Sequence, residues 1–317
     1  MINALQRHYF RTRYWLLMET RKRKALKDNL ALIAGILTIA VISLVIFLPN
    51  LLCRAELKLR EFMKVSEPLI IAITPTHKRA ERFADMTRLA TTLRLVPHIH
   101  WIVVEDGIDT VPYVEKILKR STRPFTYFAR KSPKGYPKRG WYQRSMALKY
   151  LRNNSESLMS DYRSGVVYFA DDDNSYDPRL FSDYIRYVKK LGMWAVGLSG
   201  QRIVEYPEII NGAVKFHAWH SRRTFGTDMA GFAVHLDFIL NSTADFGNRC
   251  AEGWGSPETC FLTRLGLTRK DIEIFTGAQD DGKYDVLVWH TKTQKTYVGN
   301  WTTLDDDIPY VHEFPDD

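Results

Sequence analysis

Three consecutive aspartates, Asp171, Asp172 and Asp173, close the run Val166-Val-Tyr-Phe-Ala170. A continuous apolar run of this length, rich in β-branched and aromatic residues, reads as a buried strand. The carboxylates therefore sit where burial opposes their charge and where each raises the cost of ionising the others. A divalent cation among them removes both penalties. Oxygen ligands suit Mg2+ or Mn2+, and in a nucleotide site phosphate oxygens fill the positions the protein leaves open. Because strand side chains alternate, Asp171 and Asp173 are expected on one face and Asp172 on the other, with different tasks. The same string, Asp-Asp-Asp-Asn-Ser-Tyr-Asp, is also turn-rich, so taken alone it fits a cation site or a solvated acidic turn.

The elements that must position this triplet alternate in type. Residues 69–74 form a β-branched run that reads as a buried strand, with Pro75 expected to stop it. Residues 79–95 follow with helical spacing of Phe83, Met86, Leu89, Ala90 and Leu93, then a strand at 101–104 that ends at Glu105-Asp106. A helix near 111–120, a strand near 125–129, a helix near 141–151 and the strand 166–170 complete the series. Strands alternating with helices predict an α/β fold with a mostly parallel sheet covered on both faces. Such sheets bind ligands at the carboxyl ends of their strands, where Thr74-Pro75-Thr76, Glu105-Asp106 and the aspartate triplet all fall. Beyond Gly192 the alternation loosens into strand-like pieces at 194–198, 214–219, 230–236 and 286–290, which predicts a mixed second lobe.

With 317 residues, 45% hydrophobic and 26% charged, the chain has the material for a sizeable core and is too apolar for a disordered protein. Its net charge of +9 is concentrated at the front: residues 1–28 carry eight Lys/Arg against Glu19 and Asp28, leaving a surplus of only three for the rest. That distribution argues against a nucleic-acid partner. It fits the basic flank of a membrane anchor, because residues 29–53 are uncharged and dominated by Leu, Ile, Val and Ala, and a bilayer takes about 20 such residues to cross. The basic side stays cytosolic. The organisation expected is therefore a cytosolic tail (1–28), an uncleaved transmembrane signal anchor (29–53), a short stem (54–67) and a lumenal domain (68–317). Sequons at Asn153, Asn241 and Asn300 agree with a lumenal address, and Cys250 and Cys260 are near enough in sequence to pair in an oxidising compartment.

The segment Val167-Tyr-Phe-Ala-Asp-Asp-Asp-Asn174 closely resembles the metal motif of the β-1,3-glucuronyltransferases, glycosyltransferase family 43. Further segments resemble the family in the same order: Pro75-Thr76, Leu95-Val-Pro-His-Ile-His-Trp-Ile-Val-Val-Glu-Asp106, Arg139-Gly140 with Gln143-Arg144, Trp194 with Val196-Gly197, Asp228-Met-Ala-Gly-Phe-Ala-Val234, Glu258 and Val288-Trp-His-Thr291. Together they span roughly residues 68–293. The resemblance implies a GT-A fold with a donor and metal lobe (68–191) and an acceptor lobe (192–317). It also implies dependence on Mn2+, inverting transfer of glucuronic acid from its UDP sugar to a galactose-terminated glycan, a homodimer and a Golgi membrane location.

By position, the resemblance assigns Pro75, Thr76, His77 and Asp106 to the uridine, and Arg139 and Arg144 to the donor's base or sugar side. Asp171 and Asp172 fall to ribose and sugar hydroxyls, Asp173 to the metal, His290 and Lys292 to the diphosphate, and Glu258 to the catalytic base. Glu205, Arg223 and Asp228 correspond to acceptor contacts. A base placed opposite the leaving group is what inversion requires. Read only from its neighbours, Glu258 would follow an N-cap at Ser256 and a first-turn Pro257 and merely complement a helix dipole. His77 stands where the family usually has tyrosine, and Lys292 where arginine is common, so a phosphate there meets a point charge instead of a fork of donors. Trp219, Trp254 and Trp289 offer flat apolar faces, suited either to sugar rings or to packing. Three other readings share the aspartate motif: the same fold with another donor such as UDP-xylose, a non-catalytic lumenal carbohydrate-binding module, and a metal phosphohydrolase.

Overall fold

The computed structural model describes residues 63–137, 139–220, 222–277, 284–291 and 293, together with 15, 18–24, 26–27, 29–30, 32–47 and 54 of the N-terminal part. Lys292, Asn300 and the tail beyond 293 lie outside the described residues, as do residues 1–14 and 48–53. The chain divides into two compact units, Met1–Met63 and Lys64–Asp317.

In the first unit, residues 32–47 are helical and, except for Ser43, exposed. Leu32, Ile36, Ile39, Val45 and Phe47 are each more than half open. Among the described residues no helix is long and apolar enough to cross a membrane.

The second unit has a mixed α/β fold. Its main sheet has seven strands in the order β11-β6-β10-β4-β1-β2-β3, comprising β1 (Leu69–Thr76), β2 (Ile99–Glu105), β3 (Phe125–Ala129), β4 (Gly165–Phe169), β6 (Leu191–Met193), β10 (Phe232–His235) and β11 (Ile272–Ile274). The four strands β4, β1, β2 and β3 run parallel, as the alternation predicts, while β10 is inserted antiparallel between β4 and β6. Helices Arg82–Leu93, Pro112–Arg120 and Trp141–Leu158 make the crossovers.

Alternation along β1 and β4 divides the core into two layers. Ile71, Ile73, Val167 and Phe169 pack on one face, and Ile70, Ala72, Val166 and Tyr168 on the other. Every one of these side chains is fully buried. That explains why both strands read as unbroken apolar runs, and each such side chain contributes about 1.5–3 kcal/mol on burial.

Contrary to expectation, Pro75 does not end β1, which continues to Thr76 with Pro75 opposite Val104 of β2. Pairing with β4 stops earlier, at Ile73–Phe169. The missing N–H therefore removes no bond that the β4 side still needs. The helix beginning at Trp141 runs to Leu158, about two turns past the expected end, because its polar second half, Arg152 to Ser157, carries no apolar periodicity.

A second sheet, β5-β12-β7-β8-β9, comprises β5 (Ser175–Tyr176), β7 (Val196–Gly197), β8 (Val204–Ile210), β9 (Ala213–His217) and β12 (Val288–Trp289). β5 follows directly on the aspartate triplet, so this sheet begins where β4 of the main sheet ends. Cys250 and Cys260 form a disulfide across a ten-residue separation.

Candidate active site

Each strand end named from the sequence arrives at the same edge. β4, β1 and β2 are adjacent and parallel, so Asp171–Asp173, Thr76 and Glu105-Asp106 emerge side by side. The antiparallel β10 starts at this edge, preceded by Asp228, and the second sheet adds Ser199 after β7, Glu205 in β8 and His290 after β12.

The three aspartates have different partners. β4 ends at Phe169, so the triplet lies in a turn and the alternating-face expectation does not hold for it. Asp171 pairs with Arg144, a buried arginine of helix Trp141–Leu158 that also donates to the Arg139 carbonyl at 2.8 Å. Burial still raises the Asp171 carboxyl above its ordinary range, with Arg144 pulling the other way. Asp172 Oδ2 accepts from Thr76 Oγ1 at 2.8 Å and from Arg79 Nη1 at 2.9 Å.

Asp173 differs from both: among the described residues no arginine or lysine lies within ion-pair distance of its carboxylate, while its backbone carbonyl accepts from Arg88 at 2.7 Å and Thr291 at 2.7 Å. Burial first, and then Asp171 and Asp172, push this carboxyl up to about 6. A partly buried acid that among the described residues has no arginine or lysine partner, beside two acids that have one, fits the direct ligand of a hard divalent cation.

Gly140 sits at φ +72°, and a Cβ there would stand 2.7 Å from Pro75 Cβ and 2.9 Å from Arg144 Nη1, so glycine is required for the helix to start against β1 with Arg144 aimed at Asp171. Asp106 is held by Ser132, whose N and Oγ donate to it at 2.8 and 2.9 Å. Pro75 is half-buried, while His77 and Arg139 are exposed at the rim.

On the opposite flank, Ser199 Oγ stands 2.8 Å from Glu205 Oε2 and 3.1 Å from Asp228 Oδ2. Trp219 joins the same group, with its N–H donating to Glu205 Oε1 at 2.5 Å and its carbonyl accepting from Arg223 at 3.0 Å. Asp228 caps the short turn Met229–Gly231 through the Ala230 N–H at 2.9 Å and faces His290 Nδ1 at 3.5 Å. That neighbour raises the His290 imidazole to about 9. Burial alone would raise Asp228, but His290, Ala230 and Ser199 overcome it and hold the carboxyl below its ordinary range.

Glu258 is buried, with one Arg223 nitrogen 3.6 Å from its Oε2, and that oxygen has no hydrogen-bond partner among the described residues. Burial and then the negative charge of Asp228 push its carboxyl up to about 8. Local sequence placed Ser256 as the helix cap. Instead Pro257 takes that place and Glu258 is the first helical residue, with no side-chain cap bond. Glu258 and the aspartate triplet are coupled through the Asp228–His290 pair: Asp173 acts electrostatically on His290, and Asp228 on both Glu258 and Asp171.

Ser199 and Arg79 were not singled out from the sequence. Arg79, a charge three residues past a strand terminus, carried a usable signal; Ser199, a lone serine in a loop, carried none. Of the sequons, Asn241 is exposed just after helix Leu236–Leu240, and Asn153 is exposed on a helix instead of the loop that a sequon usually marks.

Residues 89–294 match the model of glycosyltransferase family 43. The Caenorhabditis elegans protein named galactosylgalactosylxylosylprotein 3-beta-glucuronosyltransferase sqv-8 is 40% identical over 256 residues, covering 76% of this chain and 69% of that protein. Human galactosylgalactosylxylosylprotein 3-beta-glucuronosyltransferase 2 is 37% identical over 239 residues, covering 74% and 72% respectively. Among solved structures, Staphylococcus aureus TarS 1-349 aligns with a TM-score of 0.46 at 15% identity, over 70% of this chain and 60% of that one.

Proposed function

Because the chain belongs to glycosyltransferase family 43, we propose that it transfers glucuronic acid from UDP-glucuronic acid, with inversion, to the terminal galactose of a galactosyl-galactosyl-xylosyl protein acceptor. The observation that carries this reading is Glu258, a buried carboxyl raised to about 8 by burial and by the charge of Asp228, with an oxygen that has no hydrogen-bond partner among the described residues.

In a single displacement, the acceptor hydroxyl oxygen forms the new bond to the anomeric carbon while its proton passes to Glu258. The bond to UDP breaks with its electron pair going to the diphosphate. A base poised near the working pH is suited to that proton transfer. The arriving hydroxyl would also give Glu258 Oε2 the hydrogen bond it lacks. Glu205, Ser199, Arg223 and Asp228 form the polar wall available to orient the sugar hydroxyls. On the donor side, Thr76, Asp106 and the rim residues His77 and Arg139 are assigned to the uridine, with Arg144 fixing Asp171 in place. The protonated His290, which faces Asp228 and is acted on by Asp173 and Asp171, is ready to stabilise a departing phosphate oxygen.

A divalent cation, Mn2+ in this reading, would be held by Asp173 and supply Lewis-acid neutralisation of the leaving diphosphate. The fold reading is of the GT-A type, supported by polar strand ends gathered at one edge of a mostly parallel sheet.

A single-pass type II anchor over residues 29–53 is supported by the exposed, wholly uncharged helical residues 32–47, which call for an apolar surrounding. The Cys250–Cys260 disulfide supports a lumenal catalytic unit, and with it a Golgi location. Exposed Leu198, Ile203 and Ile209 support association into a homodimer.

The test is a donor and acceptor matrix: UDP-glucuronic acid and UDP-xylose against β-galactosides, with and without Mn2+, read by UDP release and product mass. Glucuronylated product only with Mn2+ is expected. Turnover restricted to UDP-xylose overturns the donor assignment, and no transfer with any donor overturns the enzymatic reading.

A further inference from the structure

We infer that Asp85 is a positioning residue for the donor half of the site: it holds Arg79 and Arg88 off the Asp173 carboxylate and ties the segment after β12 to the aspartate triplet. This rests on the reading that the triplet and His290 receive a nucleoside diphosphate with its divalent cation.

The donor, metal and acceptor assignments do not use Asp85, yet its side chain has no exposed surface. Both of its oxygens are engaged. Oδ2 accepts from Arg79 Nη2 at 2.7 Å, and Oδ1 accepts from Arg88 Nη2 at 3.1 Å and from Thr293 Oγ1 at 2.6 Å. Each partner leads back to the triplet. Arg79 turns its other terminal nitrogen, Nη1, onto Asp172 at 2.9 Å, and Arg88 Nη2 also donates to the Asp173 carbonyl at 2.7 Å. Thr291 Oγ1, two residues before Thr293, donates to that same carbonyl at 2.7 Å.

An acid in the first turn of a helix, three residues before an arginine, ordinarily complements the helix dipole and its neighbour from the surface. Full burial, a partner ahead of helix Arg82–Leu93 and another 208 residues along the chain lie outside that role. The guanidinium is a rigid planar fork, so fixing one of its nitrogens fixes where the others point. Asp85 thereby aims Arg79 at Asp172 and keeps Arg88 on the Asp173 backbone. The Asp173 carboxylate has no arginine or lysine partner among the described residues, although Arg88 touches its carbonyl and the charge of Arg79 acts on it. A metal ligand has to be kept free in this way, because an arginine swung onto it satisfies the carboxylate and competes with the cation.

The second tie concerns His290. β12, which precedes it, is only two residues long and pairs with β5 and β7. The hydroxyls of Thr291 and Thr293 carry the following segment onto Asp173 and Asp85, and with the His290 N–H bond to Gly197 at 2.9 Å they fix where the imidazole stands relative to the triplet. Thr291 and Thr293 also bracket Lys292 in the sequence.

The test follows binding of Mn2+ with UDP by electron paramagnetic resonance, together with KM for UDP-glucuronic acid and for a β-galactoside, in wild type, Asp85→Asn, Thr293→Val and the double variant. Thermal melting serves as the control for folding. Asp85→Asn is expected to weaken Mn2+–UDP binding about tenfold, the scale of losing a group that orients a metal ligand, and to raise the donor KM with the galactoside KM unchanged. Thr293→Val, at an exposed residue, is expected to weaken it about threefold, the scale of one hydrogen bond, with no change in melting. The double variant should match Asp85→Asn alone, because Thr293 acts through Asp85. Wild-type affinity in a folded Asp85→Asn, an equal rise in both KM values, or additive losses overturn the inference. If Asp85→Asn does not fold, Thr293→Val decides, and wild-type affinity there overturns it. If the wild type binds no UDP with Mn2+, the nucleotide reading fails on its own. The tie is then judged by amide hydrogen exchange of residues 286–293, where protection equal to wild type in Thr293→Val overturns it and faster exchange supports it.

Discussion

His290 Nδ1 lies 3.5 Å from Asp228 Oδ2, and the charge of Asp228 also acts on Asp171 of the acidic triplet and on the buried Glu258. The two groups perturb each other in opposite directions: the imidazole rises to about 9 and the carboxyl falls below its ordinary range. The raised imidazole stabilises the fold fully below its ordinary value of 6.5 and loses that contribution as pH climbs through about 9. An NMR titration of the His290 ring is expected to show a midpoint near 9, falling by more than one pH unit in Asp228→Asn. An unchanged midpoint in the variant would mean that Asp228 is not its cause.

Glu258 shows the cost of keeping a carboxyl dry. Its carboxyl, raised from 4.5 to about 8, favours the folded state fully at pH below 4.5, and this contribution drains away as pH rises through 8. Glu258→Gln removes the titration. The variant should therefore melt higher than wild type by a margin that widens from pH 5 to pH 9, while its turnover falls. Melting curves across that range decide the matter, and a constant margin would place the raised pKa in doubt.

Metal removal gives a separate outcome. Chelation should abolish transfer and added Mn2+ restore it, whereas Asp173→Asn should stay inactive at saturating Mn2+. Binding of Mn2+ with UDP, followed by electron paramagnetic resonance, should weaken at least tenfold in that variant. Wild-type affinity in Asp173→Asn would remove it as the ligand.

Much of this arrangement can be read in the sequence, for physical reasons. β1 and β4 are buried on both faces, so the runs at 69–74 and 166–170 stand out, and their ends locate Thr76 and the triplet. β5, β7 and β12 are two residues long, too short for any periodicity to appear, so the part of the second sheet that brings in His290 and Ser199 is only loosely legible in the sequence. Glu205, Arg223 and Asp228 were assigned through family resemblance; their joint geometry depends on Trp219 and Ser199, which no local pattern distinguishes. The different partners of the three aspartates follow from a turn after Phe169, where strand alternation no longer applies.

Arg144 is buried against Asp171 and anchored on the Arg139 carbonyl. Arg144→Met leaves an uncompensated acid beside Asp172 and Asp173, and breaking such a pair costs about 3–5 kcal/mol. Urea unfolding should show a loss of that order. A loss under 1 kcal/mol would mean that water or another cation replaces the guanidinium at no cost.

The disulfide closes a short loop that contains Glu258. Replacing Cys250 and Cys260 together by Ser should cost about 2–3 kcal/mol on loop-entropy grounds. Denaturant unfolding measures it, and equal stability of the oxidised wild type and the double variant would assign the bond no stabilising role.

The most direct measurement is the rate and stereochemistry of transfer from UDP-glucuronic acid to a β-galactoside in Mn2+, by wild type and Glu258→Gln, with the product's anomeric configuration read from proton couplings. Inversion by a buried base predicts a β-linked product and a rate about 10²–10⁴-fold lower in the variant. An α-linked product, or a variant within threefold of wild type, would contradict it.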